Sequence, residues 1–464
     1  MPEDTEESLQ TRFTRNPFGQ RLSIAALSTA IAALFFNWVA AFYRGLPVSE
    51  MLSDYADDGL CPTSEAAIGV HCFGDFYVPM TVILGERGPN PWLLDGSWNY
   101  SPIANWPLLP LGLLSRWLGW RSLLVVFLSA SVAFTVWAAV TLARAVAGRE
   151  SGALTVWSAL VVVGSTPFIA AFDRGNTVIV AVPLFLFAMY GPLHGRWRRW
   201  RWAVFFLAAL KPQFVVLFLV EVVVGRWRPA LRWSALAIVV QLSSFLVLGR
   251  EAVSSAWAWM TEGLGGYSFV SSGQFGDRNV SVIQFIIDVT TAIDSIIFSG
   301  RAILSAAPVA QPTLVSVLVV VMAGIALFGF DRRERLALAV TLAAVFSFTG
   351  PILSFHYYLV FAPILLLLLI SGGIRVGEGD PDEVVGTGVV MRPSLATPLA
   401  AFCVVASFQF AIPMSAISDQ SSEWGLASRF VAGVALVTFL ALVMVLGIRQ
   451  LFQLRVSLRR SGAT

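Results

Sequence analysis

The chain has 464 residues, of which 57% are hydrophobic and only 13% are charged, and its mean hydropathy is +0.75. A soluble globular domain carries about 25% charged residues, so this composition excludes a soluble protein and indicates an integral membrane protein. The net charge of +3 is too small to suggest a nucleic-acid partner. No polar stretch is long enough to form a soluble second domain.

The N-terminal part predicts a tail, a first helix and an outer loop. Residues 1–21 are polar and basic near their end, and we expect a cytoplasmic tail there. The run 22–43 is apolar and long enough to cross the hydrocarbon, and the arginines before it favour a cytoplasmic N-terminus. The acidic loop 44–100 is then outside. Its cysteines, Cys61 and Cys72, are predicted to form a disulfide, because free exposed thiols are uncommon outside the cytoplasm.

Apolar runs recur along the rest of the chain. They lie at about 103–120, 122–143, 152–171, 176–193, 202–224, 233–249, 312–330, 336–352, 355–371, 397–417 and 425–448. With the first helix they predict an all-α polytopic membrane protein with about 10–12 transmembrane helices. Basic turns between them should be cytoplasmic, the clearest being 195–201, 225–232 and 331–335.

The runs also suggest a division of the chain. A membrane core should extend over 22–371, followed by a Gly- and acid-rich stretch, 372–396, that we expect to be a flexible cytoplasmic linker. The remainder, 397–464, should hold the C-terminal transmembrane helices and a basic tail. Cys403 lies in this last apolar part and is expected to be a small core residue.

Two runs do not fit a simple crossing. The run 202–224 has basic clusters at both ends, and a single crossing would place one cluster outside. Lys211 and Pro212 lie at its middle, where proline breaks a helix, so we predict a broken hairpin that enters and leaves on the same side. The run 103–120 is short and contains two prolines, so we expect it not to cross fully. Non-helical backbone at membrane depth requires cover by protein or a water-filled cavity, so both runs point to a cavity.

The chemistry must come from isolated polar residues. The sequence contains no Gly-rich phosphate loop, no zinc-ligand spacing and no nucleophile elbow, and it has only three histidines, so neither a cofactor nor a metal is expected. Ionisable residues at membrane depth are costly and are usually functional. Asp75, between aromatic residues of the first outer loop, is either a solvated loop acid or a catalytic base that takes a proton from an acceptor hydroxyl.

Two further groups carry charge near the membrane. Asp173 and Arg174 form either a local ion pair in an outer turn or a site in which Arg174 binds a phosphate. In the second case Asn176 caps the following helix, whose N-terminal dipole also favours an anion. Lys211 either extends to the membrane surface or contacts a lipid-linked phosphate.

Two more candidates lie towards the C-terminal end of the core. Asn279 closes a long Gly-containing loop, which is either a polar turn or a substrate-gating loop. His356 lies at the outer start of a leucine-rich helix. It is either a structural histidine or a ligand of a phosphate or a sugar hydroxyl.

The order of these groups resembles that of the polyprenol-phosphate-dependent membrane glycosyltransferases of the GT-C superfamily. More narrowly, it resembles glycosyltransferase family 87 (GT87, the DUF2029 type), which includes the actinobacterial mannosyltransferase that extends phosphatidylinositol mannosides. The segments that carry the resemblance, in shared order over roughly residues 70–365, are 74–77, 88–92, 100–102, 174–176, 211–212, 279–281 and 350–356. The chain departs from the family pattern at Ser101, beside Asn176, where a glutamine is missing, and at Lys211, which proline follows directly.

The resemblance implies a GT-C-like bundle whose first outer loop carries the active-site acid, on the extracytoplasmic side of the plasma membrane. Mannose or arabinofuranose would move from a polyprenyl-phosphate donor to a lipid-linked or cell-envelope glycan acceptor, by inverting displacement. Asp75 would be the base, and His356 would assist at the donor phosphate or the acceptor. The donor-phosphate and substrate contacts would come from Arg174, Asn176, Lys211, Asn279, Tyr77 and Tyr100.

A transporter or flippase of lipid-linked sugars is the alternative. Broken helices and charges at membrane depth also suit transporters. However, the hydropathy shows no internal repeat, and the predicted polar residues cluster at one face.

Overall fold

The computed structural model describes residues 17–44, 67–68, 71–83, 101–114, 117–147, 152–260, 281–282, 285, 317–325, 327, 330, 332–349, 356–377, 389–409 and 427–461. The α-helices with defined bounds are α1 (Pro17–Arg44), α2 (Gly74–Ile83), α3 (Leu109–Leu114), α4 (Trp120–Ala147), α5 (Gly152–Val163), α6 (Thr166–Asp173), α7 (Val178–Leu193), α8 (Trp197–Leu210), α9 (Leu219–Val223), α10 (Trp227–Ser243), α11 (Ala252–Ala258), α12 (Arg332–Thr349), α13 (Phe361–Ser371), α14 (Pro393–Ser407) and α15 (Ala427–Ser461). The 3₁₀ helices are Pro102–Asn105, Pro212–Phe218, Ser244–Glu251 and His356–Val360.

The predicted class, an all-α polytopic membrane protein, is confirmed. Four described helices are long and apolar enough to cross a membrane, at Pro17–Val39, Trp120–Val146, Trp227–Ala258 and Val431–Gln450. A fifth span results if α5 and α6, which meet at 53°, count as one. The larger number of crossings expected from the sequence stays a prediction.

The centre of the bundle is α13. Every residue from Phe361 to Ile370 is buried, as expected for a helix that is apolar on all sides. It packs against α1, α4, α5 and α14. The 3₁₀ helix His356–Val360 leads directly into α13, so the core fixes the position of that short helix.

The break between α5 and α6 places a turn of the chain beside the core. Ser165 has extended backbone, and Pro167 lies in the first turn of α6, where its missing N–H costs no helical hydrogen bond. The short helix α6 then ends at Asp173 and packs against the 3₁₀ helix His356–Val360.

The run 202–224 forms the predicted broken hairpin, although its first helix, α8, begins earlier, at Trp197. Lys211 has extended backbone and separates α8 from the 3₁₀ helix Pro212–Phe218. Arg201 on α8 bonds to Glu221 on α9, with 2.9 Å between Nε and Oε1. The two limbs therefore return to the same end. Because α8 has 14 residues, Lys211 lies at a tip about 20 Å from that end.

The run 103–120 does not cross as one helix. Its described part holds only the 3₁₀ helix Pro102–Asn105 and the six-residue α3, which are far shorter than a membrane span. The expectation that this run fails to cross fully is confirmed for these residues.

The predicted boundaries need three corrections. The first helix begins at Pro17, so 17–21 is helical rather than part of the tail. The ends of the predicted flexible linker are ordered, because β3 (Ile374–Val376) and β4 (Val389–Met391) pair in parallel. The helix α14 then begins at Pro393, before the expected boundary.

The cysteine predictions have different outcomes. Cys403 is fully buried in α14, which confirms it as a core residue. The proposed disulfide stays a prediction, because Cys61 lies outside the described residues. Cys72 ends a two-residue strand, β2 (His71–Cys72), that pairs antiparallel with β1 (Ala67–Ile68).

Candidate active site

Asp75 lies at the start of a helix rather than in an irregular loop. The backbone carbonyl of Phe73 accepts hydrogen bonds from the N–H groups of Phe76 and Tyr77, at 3.0 and 2.9 Å, and opens α2. An acid in the first turn is favoured by the helix dipole. The Asp75 side chain is 23% exposed. The solvated-loop interpretation therefore does not describe it.

The turn after α6 holds one oxygen of this carboxylate. Arg174 donates from Nε to Asp75 Oδ2 at 3.0 Å, and Asn176 donates from Nδ2 to the same oxygen at 2.7 Å. Both donor residues are buried. Among the residues that the structure describes, no donor bonds to Oδ1. One oxygen is thus fixed, while the other accepts no hydrogen bond from the described part of the chain.

Gly175 allows this arrangement. Its φ of +63° lies in the left-handed region, and a Cβ there would lie 2.9 Å from Cβ of Phe76 and 3.2 Å from Cδ1 of Leu124. Any larger residue would push the turn away from α2. Glycine at this position lets its two neighbours in sequence reach the same carboxylate oxygen.

Asn176 has two roles. Its Oδ1 accepts the backbone N–H of Val178 at 2.8 Å, at the start of α7. Asn176 thus satisfies a backbone donor as the predicted cap would, although the N-cap position itself is Thr177. This bond fixes the orientation of the carboxamide, so that its NH₂ group faces Asp75. Arg174 itself pairs with Asp75, and its predicted contact with a phosphate stays a prediction.

Lys211 reaches the same region from the tip of the hairpin. Its side chain is buried rather than extended to a surface. The ammonium donates a hydrogen bond to the hydroxyl of Tyr358 and lies 4.2 Å from the centroid of that ring. It also interacts electrostatically with Asp75. The hairpin tip, far from α2 in sequence, therefore lies within electrostatic range of Asp75.

Tyr358 belongs to the 3₁₀ helix His356–Val360 and was not predicted as a site residue. Its position two residues after His356 is the only signal that the sequence offers. His356 is the first residue of the same short helix, which packs against α6. The backbone thus brings His356 to the end of the bundle that holds Asp75.

The other predicted site residues are less closely associated. Tyr77 packs edge-on against Trp120, with ring centroids 5.2 Å apart. Residues two apart on a helix do not share a face, so Tyr77 points away from the side of α2 that carries Asp75. Tyr100 and Asn279 lie outside the described residues, and their roles stay predictions.

A second residue missed by sequence reasoning is Gln241, near the C-terminal end of α10. Its Oε1 accepts a hydrogen bond from Ser101, and its Nε2 donates to the carbonyls of Ala208 and, at 3.2 Å, Ala209. All four groups are buried. Gln241 therefore ties the segment after Tyr100 to the last turn before Lys211. The sequence signal that could have identified Gln241 is its position as a single glutamine within an apolar run.

Cations lie close to the carboxylate in this cluster. Among its described residues, Arg174 pairs with Asp75, and Lys211 interacts electrostatically with it. The N-terminus of α7 adds the positive end of a helix dipole. A carboxylate near two cations and a helix N-terminus suits a base that works next to an anionic leaving group.

Comparison with known proteins gives the family. The family model described as glycosyltransferase family 87 matches residues 98–354, which is more than half of the 464 residues. The match contains Arg174, Asn176 and Lys211, begins after Asp75 and ends just before His356. No curated protein and no solved structure matches the chain significantly. The chain therefore belongs to glycosyltransferase family 87 and is a membrane glycosyltransferase, which moves a sugar from a donor to an acceptor.

Proposed function

We propose that this glycosyltransferase uses a polyprenyl-phosphate sugar as donor, with mannose or arabinofuranose as the sugar. The acceptor is a lipid-linked or cell-envelope glycan, and the reaction takes place on the extracytoplasmic side of the plasma membrane. The observation that carries the proposal is the carboxylate of Asp75, held on one oxygen by Arg174 and Asn176 and open on the other.

Asp75 acts as the general base. An acceptor hydroxyl gives its proton to Oδ1 of Asp75 as its oxygen attacks the anomeric carbon. The bond between that carbon and the phosphate oxygen breaks on the opposite face, and its electron pair leaves with the lipid phosphate. The configuration at the anomeric carbon is therefore inverted.

Lys211 stabilises the departing phosphate. Negative charge grows on the leaving group in the transition state, and a preorganised cation in a water-poor site stabilises such charge. The buried ammonium is held by the hydroxyl and ring face of Tyr358. Arg174, by bonding to Asp75, keeps the base oriented and adds positive charge to the same region.

The remaining predicted residues complete the proposal. His356, on the same 3₁₀ helix as Tyr358, assists at the donor phosphate or the acceptor. Tyr77, Tyr100 and Asn279 contribute to the binding of sugar and lipid.

The direct test supplies the purified full-length protein, in lipid nanodiscs, with separate polyprenyl-phosphate mannose and arabinofuranose donors and a glycolipid acceptor. We expect transfer from one of these donors, and a product whose anomeric configuration, read by NMR, is opposite to that of the donor. Transfer only from a nucleotide sugar would contradict the donor class. Movement of the lipid-linked sugar across vesicle membranes without any transfer would favour the transporter alternative.

A further inference from the structure

Two turns of the chain share one sequence and one geometry. Residues 195–198 and 225–228 both read Gly-Arg-Trp-Arg. Gly195 and Gly225 have φ of +68° and +83°, and the next residues, Arg196 and Arg226, each donate a backbone N–H to the carbonyl five positions earlier, at 2.7 Å. The helices α8 and α10 then start at the tryptophans. Because these turns flank the hairpin, they lie together at the end opposite Lys211.

A cavity of about 750 Å³ opens at this end. It is lined by Phe187, Gly195, Arg196, Trp197, Arg198, Arg199, Arg201, Trp202 and Arg226. Arg201 is bonded to the fully buried Glu221. None of the lining residues is acidic, so the cavity carries a clear excess of positive charge.

Aromatic faces hold the arginines in place. The guanidinium carbons of Arg196 and Arg199 lie 5.5 and 5.3 Å from the ring centroid of Tyr190, and that of Arg226 lies 5.1 Å from Trp197. Stacking of this kind orients a guanidinium without using its N–H donors. The guanidinium groups therefore present hydrogen-bond donors to an anion in the cavity.

The N-termini of α8 and α10, beside the cavity, also favour an anion. Neither α8 nor α10 has a side-chain hydrogen bond at its N-cap. Their N-terminal dipoles add to the positive field there. An anionic group that enters the cavity thus meets both arginines and helix N-termini.

The apolar surface next to the cavity indicates that this anion is attached to a lipid. Trp202 lines the cavity and is 44% exposed, and Phe206, one turn further along α8, stacks with it at 6.2 Å and is 38% exposed. On α10, Leu231 is 64% exposed. A free phosphate gains nothing from contact with an apolar surface, whereas the acyl chains of a lipid pack against one. Basic pockets at the cytoplasmic membrane level bind anionic head groups.

We propose that this cavity binds the phosphate headgroup of an anionic phospholipid, whose acyl chains lie along Trp202 and Phe206. The site is separate from the Asp75 cluster, since α8 holds the two about 20 Å apart. The proposal does not depend on the identity of the sugar donor.

The test reconstitutes the full-length protein with phosphatidylglycerol and phosphatidylcholine, removes loosely held lipid with detergent, and measures the retained lipid by mass spectrometry. We expect the wild type to retain phosphatidylglycerol. The double variant R198Q/R199Q should retain less of it, by a factor of about ten or more. The control R228Q/R232Q removes two exposed arginines from the same end, neither of which lines the cavity, and should behave as the wild type. R198K/R199K keeps the charge and should retain most of the lipid.

Three outcomes would overturn the proposal. Equal loss in R198Q/R199Q and in the control would mean that diffuse surface charge attracts the lipid. Displacement of phosphatidylglycerol by inorganic phosphate at equal concentration would mean that the site recognises the free anion. Retention by R198Q/R199Q at the wild-type level would show that these arginines do not bind lipid. Thermal unfolding of each variant checks that the fold is intact.

Discussion

The two oxygens of Asp75 have different surroundings. Oδ2 receives donors from Arg174 and Asn176, whereas none of the described donors bonds to Oδ1. A general base needs both a fixed orientation and a free lone pair. In this carboxylate Oδ2 provides the fixed orientation and Oδ1 the free lone pair. The two donors, Arg174 and Asn176, lie roughly a hundred residues away in sequence.

Lys211 gives the first residue-scale prediction. Lys211→Met keeps the approximate length of the side chain but removes the charge that we propose lies beside the leaving phosphate. We expect the transfer rate to fall about a hundredfold, as when one preorganised donor is lost from a transition state. The measurement is kcat under saturating donor.

Tyr358→Phe is the comparison for that experiment. It keeps the ring beneath the ammonium, at 4.2 Å from its centroid, and removes only the hydroxyl that accepts the hydrogen bond. We expect a smaller loss than for Lys211→Met. A rate for Lys211→Met equal to that of the wild type would show that Lys211 does not act on the leaving group.

Sequence reasoning selected Asp75, Arg174, Asn176 and Lys211, and the structure brings these four together. It could do so because charged and amide groups are rare in apolar runs. It did not select Tyr358 or Gln241, since one tyrosine or glutamine in a long apolar stretch gains meaning only when its neighbours in space are known. It did not predict the pairing of Arg174 with Asp75, because a contact between residues 75 and 174 leaves no local pattern.

At the scale of elements, one glycine joins α2 to the turn after α6. Gly175→Ala adds a Cβ 2.9 Å from that of Phe76, at a left-handed backbone position. The backbone strain alone costs about 1–2 kcal/mol, and the steric contact adds to it. We expect both a lower unfolding temperature and a large loss of transfer, because Asp75 loses its two donors.

Gly225→Ala is the matched control. Its φ is +83°, and nothing lies within 4 Å of the added Cβ, so it carries the backbone strain without the clash. Its unfolding temperature should fall less, and transfer should be unchanged. Equal loss of stability in both variants, with activity retained in Gly175→Ala, would contradict the assigned role of Gly175.

The hairpin depends on a second element-scale contact, the ion pair between Arg201 and the fully buried Glu221. Arg201→Met leaves that carboxylate without its partner, and we expect a loss of about 3 kcal/mol in the free energy of unfolding. The double variant Arg201→Met/Glu221→Met should recover most of this loss, since no unpaired charge remains. A double-mutant cycle of unfolding in detergent measures the coupling. Additive effects would show that the pair does not join the limbs.

The hairpin and the strand pair show what a sequence pattern can predict about elements. Basic clusters at both ends of an apolar run, with Pro212 between them, are enough to require a return to the same side. The parallel pair of β3 and β4 has only three residues in each strand. Three residues are too few for an alternating pattern to indicate a strand, and the Gly-rich composition around them suggested a flexible linker instead.

At the scale of the whole molecule, the two Gly-Arg-Trp-Arg turns and the Asp75 cluster lie at opposite ends of α8. We predict that both turns are cytoplasmic and that the first outer loop is extracytoplasmic. Single cysteines at positions 198, 228 and 58, in a cysteine-free background, test this in intact cells with a membrane-impermeant maleimide. Only position 58 should react before lysis.

The labelling result has a clear contrary outcome. Reaction at 198 but not at 228, or the reverse, would mean that the hairpin crosses the membrane. Protection of position 58 together with reaction at both turns would mean that the chain has the opposite orientation in the membrane.

Composition predicted the membrane class. Which crossings are complete depends on contacts between helices that are far apart in sequence, and hydropathy alone does not contain these contacts.

The most direct measurement of the central claim is the single-turnover rate of sugar transfer by Asp75→Asn, in parallel with Asp173→Asn. The second variant removes an acid from the end of α6, next to Arg174, and so controls for loss of negative charge in the same region. We predict that Asp75→Asn lowers the rate by about a hundredfold or more while the protein stays folded, with a lower unfolding temperature because the buried Arg174 loses its ion pair with Asp75. Asp173→Asn should keep the activity within a few-fold. Transfer by a folded Asp75→Asn protein at the wild-type rate would contradict the account.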